Sequence, residues 1–193
     1  MALVYDCTTE LEAVNSILEM AGELPVNELT ETEASESLLA WKTLHRCSRK
    51  VQKRGLNCNT EIEYKFIPDV NGYINLPTNT LAFTNVQYSN TIFIRDGKLY
   101  DTQEQSFVFT QPVIGDLVLF LEYEDLPEHV REYILMLAAR RFIANTIGSA
   151  ELVKLTDADT AAAQRDFHRF EIKNQKNNIF DNAESQWILN RGM

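Results

Sequence analysis

The sequence predicts an α+β fold: a four-helix bundle with an inserted antiparallel β-sheet or small sandwich domain, followed by an extended C-terminal arm. Three observations predict it. Apolar residues recur at helical spacing through residues 1–56, give way to short alternating segments over residues 57–126, and return to helical spacing over residues 127–173. The bundle is therefore discontinuous, the β domain is an insertion, and residues 174–193 form the arm. At 193 residues, 45% of them apolar, the chain can bury a core without disulfide or metal staples.

The first helix opens on Thr9 and Glu12, the spacing of a capping box, with Leu11, Val14, Ile17, Leu18 and Ala21 following on one face. Gly22 supplies a left-handed stop and Pro25 prevents resumption. Residues 34–54 contain neither Pro nor Gly. Their positions Ala40, Leu44, Cys47 and Val51 share a face, and Gly55 closes this second helix.

Beyond Asn57 the period changes to two, with Ile62, Tyr64 and Phe66 expected on one side of a strand and Glu61, Glu63 and Lys65 on the other. A turn follows at residues 69–72, then short extended pieces at 73–76 and 85–88. The clearest hairpin is TIFIRDGKLYD, in which Asp96 and Gly97 are the pair a type I′ turn favours. Strands at 107–109 and 117–123 complete the domain. Pro127 suits a helix start, and Val130, Tyr133, Ile134, Leu137, Ala138 and Phe142 form the face of a third helix ending at Gly148. Ser149 is placed to cap a fourth, with Leu152, Leu155, Ala158, Ala162 and Phe170 as a thinner stripe.

Charge is unevenly spread. The net value is −10, from 18 basic and 28 acidic residues, which argues against a general nucleic-acid coat. Residues 1–40 hold nine acids and no base, whereas residues 41–55 hold six bases and no acid. On a helix Lys42, Arg46, Arg49 and Lys53, spaced four, three and four apart, form one stripe about opposite the apolar face. The stripe has two readings. One is an ordinary solvated face with bases toward the favourable C-terminal end. The other is a contact for an acidic surface, the nearest being the acidic first forty residues of a neighbouring copy. DNA fits less well, because the other 178 residues are net negative by 16.

Chemistry-bearing motifs are sparse. Cys7, Cys47 and Cys58 form an odd set without a C-x-x-C pair, so neither a disulfide framework nor a zinc site is expected. His45, His129 and His168 are scattered, and no G-x-S-x-G, Walker or dinucleotide motif occurs. No catalytic residue, metal or cofactor is expected. The amino terminus lacks a basic n-region, and no apolar run approaches the ~20 residues of a membrane span. In the arm, Ile179, Phe180, Trp187, Ile188 and Leu189 interrupt an Asn- and Gln-rich segment. Such a segment either frays or orders on a partner through those anchors; the aromatics favour the second.

Three segments, ELEAVNSILEMAGELPVNEL, VQKRGLNCNTE and EDLPEHVREYILMLAARRF, resemble in order and spacing the tail tubular protein A family of T7-like short-tailed bacteriophages. The resemblance spans roughly residues 9–173. It implies a head-to-tail adaptor: a helical bundle with a β domain, assembled as a twelvefold ring between the portal and the tail nozzle, tail tubular protein B. Genomic DNA would pass through the ring without sequence-specific binding. The helical part would face the portal and neighbouring subunits, and the β part the nozzle. A closed ring needs two different complementary patches on each subunit, and the acidic start and basic stripe are such a pair. Two other functions compete with this one: a DNA-end-binding or packaging accessory, and a glycan hydrolase acting during entry.

Overall fold

The computed structural model describes residues 8–29, 36–86, 91–146, 148 and 150–181, with side chains as far as Lys173. The chain divides into two compact units, one of residues 1–48 and 122–193, the other of residues 49–121. Both boundaries lie a few residues before the changes in periodicity at Asn57 and Pro127.

In the helical unit, helix α1 (Glu10–Ala21) has the expected capping box. The Thr9 hydroxyl accepts from the Glu12 amide at 3.2 Å, and the Glu12 carboxylate accepts from the Thr9 amide at 2.8 Å. Gly22 ends it in the left-handed region. Ala13, Val14, Ile17, Leu18 and Ala21 are buried, while Leu11 is only half-buried. Helix α2 (Glu36–Gln52) buries Ala40, Leu44, Cys47 and Val51, the face its spacing predicts.

Helix α3 (Glu128–Thr146) is buried almost all round. Besides the expected positions it hides Arg131, Leu135, Ala139 and Ile143, whereas Leu137 is half-buried. Helix α4 (Ala150–Asp181) departs from expectation twice. Its buried stripe is Thr156, Thr160, Ala163 and Phe167, and Leu155 and Ala158 face solvent. Both threonine hydroxyls donate back to their own helix, Thr156 to Val153 O at 2.9 Å and Thr160 to Thr156 O at 2.7 Å. That satisfaction lets a polar side chain occupy a face expected to be aliphatic. The backbone also stays helical to Asp181, so the first eight residues of the expected extended arm continue α4. Ser149, the expected cap, lies outside the described residues.

The β unit holds a three-stranded antiparallel sheet in the order β1-β5-β2 and a two-stranded hairpin, β3-β4. These strands are β1 (Thr60–Phe66), β2 (Thr80–Asn85), β3 (Ile92–Arg95), β4 (Lys98–Asp101) and β5 (Val113–Leu119). The hairpin forms where Asp96-Gly97 predicts it, with φ of 52° and 71° at those residues.

Other strand expectations shift. The piece expected at 85–88 is instead β2, five residues earlier, and its Thr-rich sequence masks the alternation. Residues 107–109 are not a strand: they follow a bridge between Asp101 and Ser106, and Phe109 donates to Gly72 O at 2.8 Å. The strand expected at 117–123 is β5, which begins at Val113 and ends at Leu119. Gly115 sits inside it because a Cβ there would lie 2.4 Å from the Phe83 ring.

Strict alternation also fails in β1. Pairing with β5 slips between Glu61 and Tyr64, so two residues, Ile62 and Glu63, oppose Asp116. Glu63 takes φ of 52°, and its amide donates to Asp116 Oδ1 at 2.9 Å. The bulge changes the phase. Tyr64 and Phe66 share the face of Gly115 and Val113, but Ile62 is left 67% exposed. The unit's core is Phe66, Ile74, Leu76, Ile92, Leu99, Val113 and Leu117. Two buried amides pin its entry and exit. Gln52 donates to Leu121 O at 2.9 Å and accepts from Leu121 N at 2.8 Å. Asn59 donates to Gln52 O and Leu119 O while accepting from Leu56 N.

Candidate functional site

Helix α2 displays the basic stripe because its opposite face is committed to Ala40, Leu44, Cys47 and Val51. Lys42 and Arg46 are exposed in the helical unit, and Arg49 and Lys53 are exposed in the β unit. Lys53 follows the last helical residue, yet its amide still donates to Arg49 O at 3.1 Å, which continues the helical spacing. Among the described residues none of the four forms an ion pair. With no ion pair to give up among the described residues, these cations can steer an acidic surface toward the helix.

The acidic amino-terminal block is partly consumed by its own unit. Glu10 Oε1 lies 2.5 Å from His45 Nε2, and the Trp41 ring meets the His45 ring edge-on at 4.7 Å. The hydrogen bond from His45 holds Glu10 below the ordinary carboxylate range against the opposing effect of burial. The same bond raises His45 above its ordinary value, opposed by burial and supported by the charges of Glu10, Glu122 and Glu124. Buried Arg131 then ties the start of α1 to the turn before α3. It donates to Thr8 O and Glu124 O, and pairs with Glu128 at 2.7 Å. Burial pushes the Tyr123 phenol up, and its hydroxyl donates to Arg131 O at 3.1 Å. Glu12 is spent in the capping box. Glu19, Glu23 and Glu28 remain exposed and available to a partner.

A second feature was missed in the sequence because its parts are separated along the chain. A groove of about 680 Å³ runs along β1 in the β unit. Exposed Tyr64 and Ile67, buried Phe66 and Leu117, and residues 74–77 line it. Glu61 is its one carboxylate. Among the described residues no cluster of three or more His, Cys, Asp or Glu could hold a metal ion.

Of the arm anchors, Ile179 and Phe180 fall on the helical backbone of α4 beyond the described side chains. Trp187, Ile188 and Leu189 lie outside the described residues.

Residues 11–177, from α1 into the last turns of α4, match a family model described as tail tubular protein. The chain belongs to the tail tubular protein family. Among its relatives is tail tubular protein A of Klebsiella phage KP34, 34% identical over 139 residues that cover 72% of this chain and 74% of that one. As a tail tubular protein it is a structural component of a phage virion tail, working among other virion proteins. Among its described residues no helix is long and apolar enough to cross a membrane.

Proposed function

We propose that this tail tubular protein is a non-enzymatic adaptor that closes into a ring, a dodecamer in the virion, between the portal and the tail nozzle of tail tubular protein B. Its ring forms part of the channel through which DNA is ejected. Family membership supports the reading. The observation that carries it is the stripe Lys42, Arg46, Arg49 and Lys53, exposed and, among the described residues, without ion pairs. A ring requires a heterologous interface. The stripe of one subunit would meet Glu19, Glu23 and Glu28 of the next, or an acidic patch on the portal. A net charge of −10 also suits a conduit, since DNA must slide without the phosphate contacts that would hold it.

The double variant Arg46→Glu, Arg49→Glu tests this. Both side chains are exposed, so the fold should be unchanged within about 0.5 kcal/mol. Ring assembly and portal binding should be lost, and if both are unchanged the stripe is not the contact. Salt-sensitive DNA binding by the isolated chain, lost in the same variant, would favour a DNA-end-binding accessory instead.

A further inference from the structure

The groove of the β unit lies beside an edge strand, since the order β1-β5-β2 gives β1 a sheet partner on one side only. Its lining mixes polar and apolar groups, and two large side chains stand out from it, Tyr64 at 50% and Ile67 at 71% exposed. One acid, Glu61, and one base, Lys65, also line it, so its local charge is balanced. A fitting occupant is short, combines a few large apolar side chains with polar ones, and carries little net charge.

Residues 182–193, NAESQWILNRGM, have that composition. Trp187, Ile188 and Leu189 are consecutive, flanked by one acid, Glu184, and one base, Arg191. The helix before them points to where they are presented. Contacts between α3 and α4 run in antiparallel order: Arg140 with Asp157, Met136 with Thr160, Tyr133 with Phe167, and His129 with Phe170 and Glu171. His129 is the second residue of α3, so the rest of α4 has no further α3 to pack on. From Glu171 to Asp181 the helix extends roughly 15 Å beyond that last contact. Exposed Phe170 and Ile172 mark where packing ends. The helix thus carries Asp181 beyond the start of its own α3.

We infer that residues 182–193 of one copy seat in the β1 groove of a second copy, with Trp187, Ile188 and Leu189 against Tyr64, Phe66, Ile67 and Leu117. The inference rests on the ring reading, because a tail-to-groove contact is heterologous and repeats around a ring. It gives each subunit a second complementary pair of surfaces, independent of the basic stripe.

The test uses a fluorescein-labelled peptide of residues 182–193 and the full-length chain carrying Trp187→Ser, Ile188→Ser and Leu189→Ser, which silences its own segment. Saturable binding is expected. It should weaken about tenfold when Tyr64→Ala and Ile67→Asp are added to the chain, and equally when the peptide carries Trp187→Ser. Absence of binding, or binding indifferent to the groove substitutions, overturns the inference. The unaltered chain, held dilute, should bind the peptide as well as the silenced chain does. Binding at least tenfold weaker would show each segment filling its own groove, which overturns the assignment to a second copy. No arm involves a portal or ring, so failure here leaves the adaptor reading to be judged by ring assembly.

Discussion

The helical unit and the β unit solve burial differently. In the first, Ala13, Val14, Ile17, Val130, Ile134 and Ile143 are fully buried, and α3 is hidden on almost every side. In the second, a thin sheet encloses one small core and leaves Ile62, Ile67, Val70, Phe93 and Val108 more than half exposed. The helical unit also leaves Leu24, Leu39, Leu155 and Ile172 more than half exposed, but spread along a longer stretch of chain. Scattered apolar residues on a surface are ordinary; of those in the β unit Ile67, with half-exposed Tyr64, also lines the groove. The helical unit thus builds the deeper core, and the β unit leaves more of its described large apolar side chains in solvent for its length.

The largest effect should come from the deeper core. Phe142 is 1% exposed on α3, and Phe142→Ala should cost about 3–5 kcal/mol in chemical denaturation, through lost burial and the cavity left behind. A loss under about 1 kcal/mol would mean the helical unit is packed as loosely as the β unit. Next is Gln52, whose side chain makes both hydrogen bonds to Leu121. Gln52→Leu keeps the volume but orphans a backbone donor and an acceptor, and should cost about 1–3 kcal/mol. An unchanged denaturation midpoint would show that the β unit does not depend on this clamp.

The smallest effect is a pH dependence confined to the helical unit. The His45 pKa is raised above 6.5, so its contribution is full below that value and is lost as pH rises through the raised one. The Glu10 pKa is lowered below 4.5, so its contribution is full above that value and is lost as pH falls through the lowered one. The pair therefore stabilises most between about pH 4.5 and 6.5. Both side chains are partly exposed, which limits the gain to less than about 1 kcal/mol. His45→Gln should flatten the fall in thermal stability between mildly acidic and alkaline buffer; a fall of the same size in the variant would assign it elsewhere.

The two units also differ in how far they could be read from sequence. Helix signals are local: Thr9 with Glu12, Gly22, and the Ala40 to Val51 face lie within a few residues of the structure they specify. The Asp96-Gly97 turn is local in the same way. The features that escaped depend on partners remote in the chain. The bulge at Ile62 and Glu63 is held by Asp116 on β5. Gly115 is required by the Phe83 ring on β2. The α4 face of Thr156 and Thr160 is the exception: their hydroxyls are satisfied within the helix, which apolar periodicity does not signal. The basic stripe, regular along one helix, was visible at once. The groove brings together residues as distant as Glu61 and Leu119, and no pattern in either segment announces it.

The central claim is that this tail tubular protein closes into a ring upon a portal. Electron microscopy of the purified chain, alone and mixed with isolated portal rings, tests it most directly. The account predicts an additional ring stacked on one end of each portal, with twelve subunits in top views. Bare portals at saturating concentrations of well-folded protein would contradict it.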